Sequence, residues 1–220
     1  MLLELLTGSG FGAVVGVRHA LEPDHFAAVA TMIGGERSSL RAALLGIYWG
    51  VGHTLAIVVV GAALVVLQAE MPVRASSAVD LMVSVMLVCL GVRAILQAAR
   101  TSEAKEPLDR RRPIDSSLTL SPAWPLARPV LVGAIHGLAG SGALTALVLA
   151  TLPSTASRLA YVALFGLGST LSMAAMSGLL GWPLARLGTH HVVARSIIFI
   201  VGLGSAALGV AWGNATLDLF

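Results

Sequence analysis

An apolar segment long enough to cross a lipid bilayer is interrupted at its centre by ionisable side chains. The residues on either side, 5–17 and 26–33, are apolar. The interrupting side chains are Arg18, His19, Glu22, Asp24 and His25. About 20 apolar residues are enough to span a bilayer as a helix. Polar and ionisable groups are costly at that depth and mark functional sites there. The segment therefore predicts a spanning helix with a functional site at its middle.

The composition is that of a membrane protein. Hydrophobic residues make up 56% of the 220 residues and charged residues 11%, whereas about a quarter of an ordinary globular domain is charged. Glu4 precedes the first apolar segment and no basic stretch does, so we do not expect a cleaved leader. The single cysteine, Cys89, cannot form an intramolecular disulfide, which excludes a thiol–disulfide relay.

Six apolar segments have roughly the length of membrane-spanning helices. They are residues 5–33, 42–68, 78–99, 128–152, 158–182 and 195–214. Residues 100–127 are rich in charges and proline and predict a flexible loop, because such a sequence cannot bury a core. The predicted fold is an all-α membrane protein with six transmembrane helices. Its parts are a first three-helix unit at 1–99, the loop, and a second three-helix unit at 128–220.

The distribution of basic residues predicts the orientation. Eleven Lys and Arg residues lie in or beside the loops after the first, third and fifth segments, and two, Arg74 and Arg158, lie on the opposite side. Cytoplasmic loops are enriched in Lys and Arg. We therefore expect the loop at 100–127 to be cytoplasmic and both termini to be external, in the plasma membrane of a prokaryote. The eleven residues are Arg37, Arg41, Arg93, Arg100, Lys105, Arg110, Arg111, Arg112, Arg128, Arg186 and Arg195.

The two halves resemble each other at corresponding positions. The sequences around His19 and His136 both read G-x-x-H-x-L, and two further matches follow in the same order. The matched pairs are His19 and His136, His53 and Ser169, and Gly91 and Gly209, separated by 117, 116 and 118 residues. Because each unit has three helices, the second copy enters the membrane from the opposite side. This predicts an inverted repeat, an architecture common among secondary transporters with a site at the membrane midplane.

Pro23 is expected to break the first helix, because it has no N–H for the carbonyl of His19. In an unbroken helix His19, Asp24 and His25 would not share a face, and the break allows them to converge. His53 lies near the centre of the second segment and joins them if the two helices pack closely through glycines. Three imidazoles and one carboxylate suit nickel, cobalt, copper or zinc.

At these residues the chain resembles the nickel/cobalt transporter family. His19-Ala20-Leu21-Glu22-Pro23-Asp24-His25 matches the family's H-x4-D-H metal motif, and Gly52-His53-Thr54-Leu55 is similar to the motif of its next helix. The resemblance covers the first two helices. It implies a permease selective for nickel, with cobalt second, and metal binding at His19, Asp24, His25 and His53. The metal ion is then the transported substrate, and no cofactor or enzymatic activity is expected.

The second half departs from the family pattern, since no Asp or Glu occurs between Asp115 and Asp218 and the family's later acidic motif is absent. The chain is similar to the shorter six-helix branch associated with nickel supply to urease or hydrogenase. That similarity implies a metallochaperone or a urease or hydrogenase maturation protein as a partner, besides the metal ion and the lipid bilayer. Nothing indicates a nucleic-acid partner. Export of the metal is the alternative to import.

Other interpretations of the singled-out residues stay open. The polar side chains around Pro23 could bond only to one another and shape the kink without binding a metal. The rarity of Asp and His at bilayer depth favours metal binding. His136 has no acidic neighbour in the sequence, so it is either a fifth ligand or a core histidine. Glu22 is four residues from Arg18, and an ion pair between them is one explanation for both.

An enzyme is the alternative of a different class. Gly140-Ser141-Gly142 prompts an intramembrane serine hydrolase, in which Ser141 needs a base within reach. His136 is five residues earlier on the same helix and poorly aimed, and the last segment contains no histidine. An intramembrane zinc protease is excluded because no H-E-x-x-H sequence occurs. The sequence favours a transporter.

Overall fold

The computed structural model of the chain describes residues 2–34, 36, 38–103, 124–187 and 191–218. Within those ranges it contains seven α-helices and no strand, so the predicted all-α fold is confirmed. The helices are α1 (Leu2–His19), α2 (Pro23–Ile33), α3 (Ser39–Leu67), α4 (Val73–Glu103), α5 (Trp124–Thr151), α6 (Thr155–Leu187) and α7 (His191–Leu217). Most of the predicted loop at 100–127 falls on 104–123, outside the described residues; the residues that flank that gap are helical.

Four helices are long and apolar enough to cross a membrane, judged over the described residues. They contain the stretches Ser39–Leu67, Val73–Arg100, Thr155–Pro183 and Val192–Leu217. In α5, which runs from Trp124 to Thr151, the apolar stretch among the residues with described side chains is Ala127–Ala139. Helices α3 to α7 begin three to five residues before the corresponding predicted apolar segments, because each helix continues into its polar flank.

The first predicted helix is divided into two. α1 ends at His19 and α2 begins at Pro23. Between them the N–H of Leu21 donates to the carbonyl of Arg18 and the N–H of Glu22 to that of His19, a tighter pattern than that of an α-helix. Pro23 cannot donate and occupies the first turn of α2, where no donor is needed. The break places His19 at the end of one helix and the next polar side chains at the start of another.

α3 and α6 pack antiparallel along most of their length. The hydroxyl of Ser39 donates to the carbonyl of Gly178, and that of Thr54 donates to the carbonyl of Gly166, at 2.9 and 2.7 Å. Residue numbers therefore rise along one helix as they fall along the other. α4 and α7 are antiparallel in the same way: Ser205 donates to the carbonyl of Leu87 at 3.0 Å, and Gly209 further along α7 lies against the earlier Ser84 of α4. By contrast, α1 runs parallel to α6, and α5 runs parallel to α3.

The contact between α3 and α6 is reciprocal. Thr54 donates to the carbonyl of Gly166, and Thr170 donates to the carbonyl of Gly50 at 3.0 Å. The two hydroxyls also lie 2.7 Å from each other. Thr54 and Thr170 are 116 positions apart, and so are Gly50 and Gly166. This is the separation of the matched pair His53 and Ser169 in the two halves of the sequence.

Glycine allows the backbones of neighbouring helices to touch. A Cβ atom at Gly52 of α3 would collide with the carbonyl of Val130 in α5, and one at Gly168 of α6 would collide with that of Ala13 in α1. These two collisions involve corresponding positions of the two sequence halves. Small residues permit such close approach between helices in membranes. The helices that carry His19, His53 and His136 are held together by these contacts.

Substitution of Gly52 should destabilise the protein. Gly52→Ala forces α3 away from the Val130 carbonyl, and overpacking of this kind costs about 1–3 kcal/mol. The matched control is Gly204→Ala in α7, where an added Cβ meets nothing within 4 Å. Thermal unfolding in detergent, followed by the loss of the monodisperse peak in size-exclusion chromatography, should show a lower midpoint for Gly52→Ala and an unchanged or higher one for the control. Equal midpoints would contradict this account of the packing.

Candidate metal centre

Five ionisable side chains from four helices meet inside the helix bundle. His19 ends α1, Asp24 and His25 lie in the first turn of α2, His53 lies midway along α3, and His136 lies in α5. Asp24, His25, His53 and His136 are buried, and the His19 side chain is 16% exposed. The cluster is therefore sheltered from solvent on most sides.

Three of the imidazoles form one group. His25 Nε2 lies 3.3 Å from His53 Nε2, and the ring of His19 lies 4.4 Å from that of His25 and 5.3 Å from that of His53, between centroids. One nitrogen from each ring falls within 4.8 Å of the others. Two nitrogen ligands of one tetrahedral metal ion are about 3.3 Å apart when the bonds are 2.0–2.1 Å. The separation of His25 and His53 matches that value.

A second group shares His25. Asp24 accepts a hydrogen bond from His25 Nδ1 at Oδ1, at 3.1 Å, and one from His136 Nε2 at Oδ2, at 2.7 Å. The rings of His25 and His136 lie 4.2 Å apart between centroids. The ligand atoms of these three side chains also lie within 4.8 Å of one another. Both oxygens of the Asp24 carboxylate are thus paired with imidazole.

Two of the imidazoles, those of His19 and His25, are paired with a carboxylate through Nδ1. Besides the pair of Asp24 and His25, Glu22 Oε2 lies 3.0 Å from His19 Nδ1. When Nδ1 of a neutral imidazole carries the proton, Nε2 has a free lone pair. His19 Nε2 is buried and has no hydrogen-bond partner among the described residues. Metal-binding histidines characteristically donate their other nitrogen to a carboxylate, and His19 and His25 both do so.

Aromatic rings and backbone pack around the cluster. The ring of Trp49, which is fully buried, lies 5.5 Å from that of His25 and 5.8 Å from that of His136. Phe165 lies 5.2 Å from the ring of His19. On the α5 side, Gly137 brings its backbone against the carbonyl of His53. This packing limits rotation of the rings and fixes their mutual positions.

The arrangement offers borderline nitrogen donors and one or two carboxylates, in an apolar enclosure. Such a set suits nickel, cobalt, copper or zinc better than magnesium or calcium, which prefer oxygen. All five residues selected from the sequence, His19, Asp24, His25, His53 and His136, lie in it. That they bind a metal stays a prediction.

Two features were not anticipated from the sequence. Glu22 faces His19 three residues earlier, whereas the spacing suggested a pair with Arg18, because the turn before Pro23 departs from helical geometry. The ring of Trp49 borders two histidines, a contact that no spacing in the sequence indicates. The side chain of Ser141, the candidate nucleophile, lies outside the described residues, while His136, its candidate base, is hydrogen-bonded to Asp24.

Comparison with known proteins gives a family match in the first half of the chain. Residues 9–117 match the NicO family model, described as high-affinity nickel-transport protein. Those residues include the H-x4-D-H sequence and His53. His136 lies beyond the matched range.

Individual proteins match over more of the chain. The urease accessory protein UreH of Bacillus sp. (strain TB-90) is 31% identical over 95% of this chain and 90% of its own length. The chloroplast proteins FOR GROWTH AND FERTILITY 1 and 2 of Arabidopsis thaliana are 27% and 26% identical over 80% and 93% of this chain. The matches span 50% and 57% of the lengths of these plant proteins. No solved structure matches the chain significantly.

Trp49 should report on metal in the cluster. In a variant with Trp124, Trp182 and Trp212 replaced by Phe, added Ni²⁺ should quench the Trp49 emission, because the indole borders His25 and His136. Mg²⁺, which prefers oxygen ligands, should leave the emission unchanged. A matched reporter that keeps only Trp182, a half-exposed residue beneath Arg186, should respond weakly to both ions. Equal quenching of the two reporters by Ni²⁺ would contradict binding at the cluster.

Proposed function

Since the chain belongs to the NicO family of high-affinity nickel-transport proteins, we propose that it is a membrane permease whose substrate is Ni²⁺, with Co²⁺ second. The family consists of transport proteins, so a transporter is confirmed over an enzyme. The observation that carries the substrate proposal is the convergence of His19, His25 and His53 on one small volume between apolar helices. We propose that these imidazoles bind the ion through Nε2.

Asp24 supplies the charge that a divalent ion needs in an apolar interior. An ion that leaves water loses a large hydration energy, and neutral imidazoles alone do not compensate its charge. The Asp24 carboxylate lies against His25 and within the same cluster. Dehydration of Ni²⁺ is offset by nitrogen coordination together with this nearby negative charge. Mg²⁺ and Ca²⁺ find too few oxygen donors there.

We further propose that the chain forms two inverted three-helix repeats, α1–α4 and α5–α7, in which α1 and α2 together count as the first helix. The reciprocal contacts of Thr54 and Thr170 support this, because counterparts in the two halves meet each other. The antiparallel packing of α3 with α6 supports it as well. A twofold axis along the membrane normal relates parallel helices, whereas an axis in the membrane plane relates antiparallel ones. Rocking of the two repeats would expose the midplane site to each side in turn.

The proposed transport direction is inward. The excess of basic residues in the loops after the first, third and fifth predicted segments supports cytoplasmic placement of those loops. Moving one charge through 100 mV is worth about 2.3 kcal/mol, so an inside-negative potential favours divalent cation entry by about twice that. The urease accessory name of one relative fits delivery of nickel to urease maturation proteins. Net export from loaded cells would assign the opposite direction.

The central test is nickel flux in cells that express equal amounts of each variant. His25→Ala and Asp24→Asn should lower ⁶³Ni uptake at least about tenfold, since even partners outside the ligand shell cost 10–100-fold in affinity or activity when removed. His191→Ala removes a histidine that is not among the five proposed ligands and should leave uptake unchanged, as should Ser141→Ala. Near-normal uptake in both cluster variants would mean that the cluster only shapes the kink.

Cysteine labelling tests orientation and repeat together. In a Cys89→Ala background, cysteine replaces Ser38, Arg110 or Ser154; Ser38 and Ser154 are 116 positions apart and correspond in the two halves. A membrane-impermeant maleimide should label position 154 in intact cells and label positions 38 and 110 only after permeabilisation. Labelling of 38 and 154 from the same side would refute the inversion. Labelling of position 110 in intact cells would refute the orientation.

A further inference from the structure

His25 belongs to two three-residue groups that lie on different sides of its ring. Its Nε2 faces His53 at 3.3 Å, in the group that also contains His19. Its Nδ1 faces Asp24 at 3.1 Å, in the group that also contains His136. The five side chains selected from the sequence are therefore arranged as two overlapping sets of three.

We propose that the metal ion occupies two alternative positions and passes between them across the ring of His25. The first position is formed by His19, His25 Nε2 and His53. The second is formed by Asp24, His25 Nδ1 and His136. This inference rests on the proposed function and adds a second coordination site to it. The ion moves from three nitrogen ligands to two nitrogens and a carboxylate.

The two positions exclude each other. Neutral His25 binds metal through the nitrogen that lacks a proton, so occupation of the first position keeps its proton on Nδ1, hydrogen-bonded to Asp24. In the second position that proton moves to the vacated Nε2. His136 Nε2, which donates to Asp24 at 2.7 Å, must also lose its proton, and His136 Nδ1, which has no partner among the described residues, takes it up. One ion is bound at a time.

Each position contains one of the two corresponding histidines. His19 and His136 are 117 residues apart and occupy the same place in the repeated G-x-x-H-x-L sequence. His19 lies on α1, which packs against α6, and His136 lies on α5, which packs against α3. Because His19, His25 and His53 all lie in the first repeat and His136 lies in the second, movement of one repeat against the other displaces His136 relative to the shared His25. Such movement changes which of the two sets is better formed.

Binding measurements on the purified full chain separate the two positions. Wild type should bind one Ni²⁺ per chain. His19→Ala should still bind one, now with fewer imidazoles, as counted from the nickel X-ray absorption spectrum, and His136→Ala should bind one with three imidazoles. His25→Ala removes a ligand from both positions and should weaken binding by about 100-fold or more, since the loss of an outer-shell partner alone costs 10–100-fold. A single shared site predicts instead that His19→Ala and His25→Ala are equally damaging, and that result would overturn the proposal.

Flux through His136→Asn distinguishes a ligand from a hydrogen-bonding partner. Asparagine can still donate to Asp24 but offers no imidazole to the ion. The variant should retain nickel binding with the three-imidazole spectrum and lose nickel flux at least about tenfold. Wild-type flux, or loss of nickel binding, in His136→Asn would overturn the second position. Absence of both binding and flux in the wild-type protein would instead refute the proposed function and this inference with it.

Discussion

The buried carboxylate of Asp24 is the constraint around which the rest of the centre is organised. A negative charge between apolar helices costs several kcal/mol unless it is paired, and both Asp24 oxygens accept hydrogen bonds from imidazole, one from the neighbouring His25 and one from His136 on a distant helix. Satisfying this carboxylate therefore joins α2 to α5. It also orients His25, which brings Nε2 of that ring to His53.

The pairing depends on backbone geometry that side chains alone could not provide. Pro23 starts a new helix, so Asp24 and His25 project from a first turn instead of following the face of α1. Gly133 and Gly137 let α5 lie directly against the backbone of α3 around His53. A larger residue at either glycine would move His136 away from Asp24. The hydrogen bonds of the polar centre therefore depend on the close packing of α5 against α3.

Much of this could be predicted from the sequence, and the reasons for the exceptions are physical. The break at Pro23 follows from a missing N–H, and the convergence of His19, Asp24 and His25 follows from the break. The partner of Glu22 could not be predicted by helical spacing, since the spacing rule fails where the helix ends. The bond of His136 to Asp24 joins residues 112 positions apart, and only tertiary packing brings them together. The repeat offset pointed to His136 but gave no reason for it to meet a carboxylate.

The hydroxyl pair of Thr54 and Thr170 limits how α3 and α6 can move. Each hydroxyl contacts the other and also donates to a facing carbonyl, so sliding one helix along the other breaks these bonds together. The next equivalent register is a full turn, about 5.4 Å, away. Tilting about this contact leaves the threonine bonds near their starting lengths but separates Ser39 from the carbonyl of Gly178, 15 residues away along α3. The threonine pair therefore fixes the register of the two helices, and the bond of Ser39 opposes their tilting.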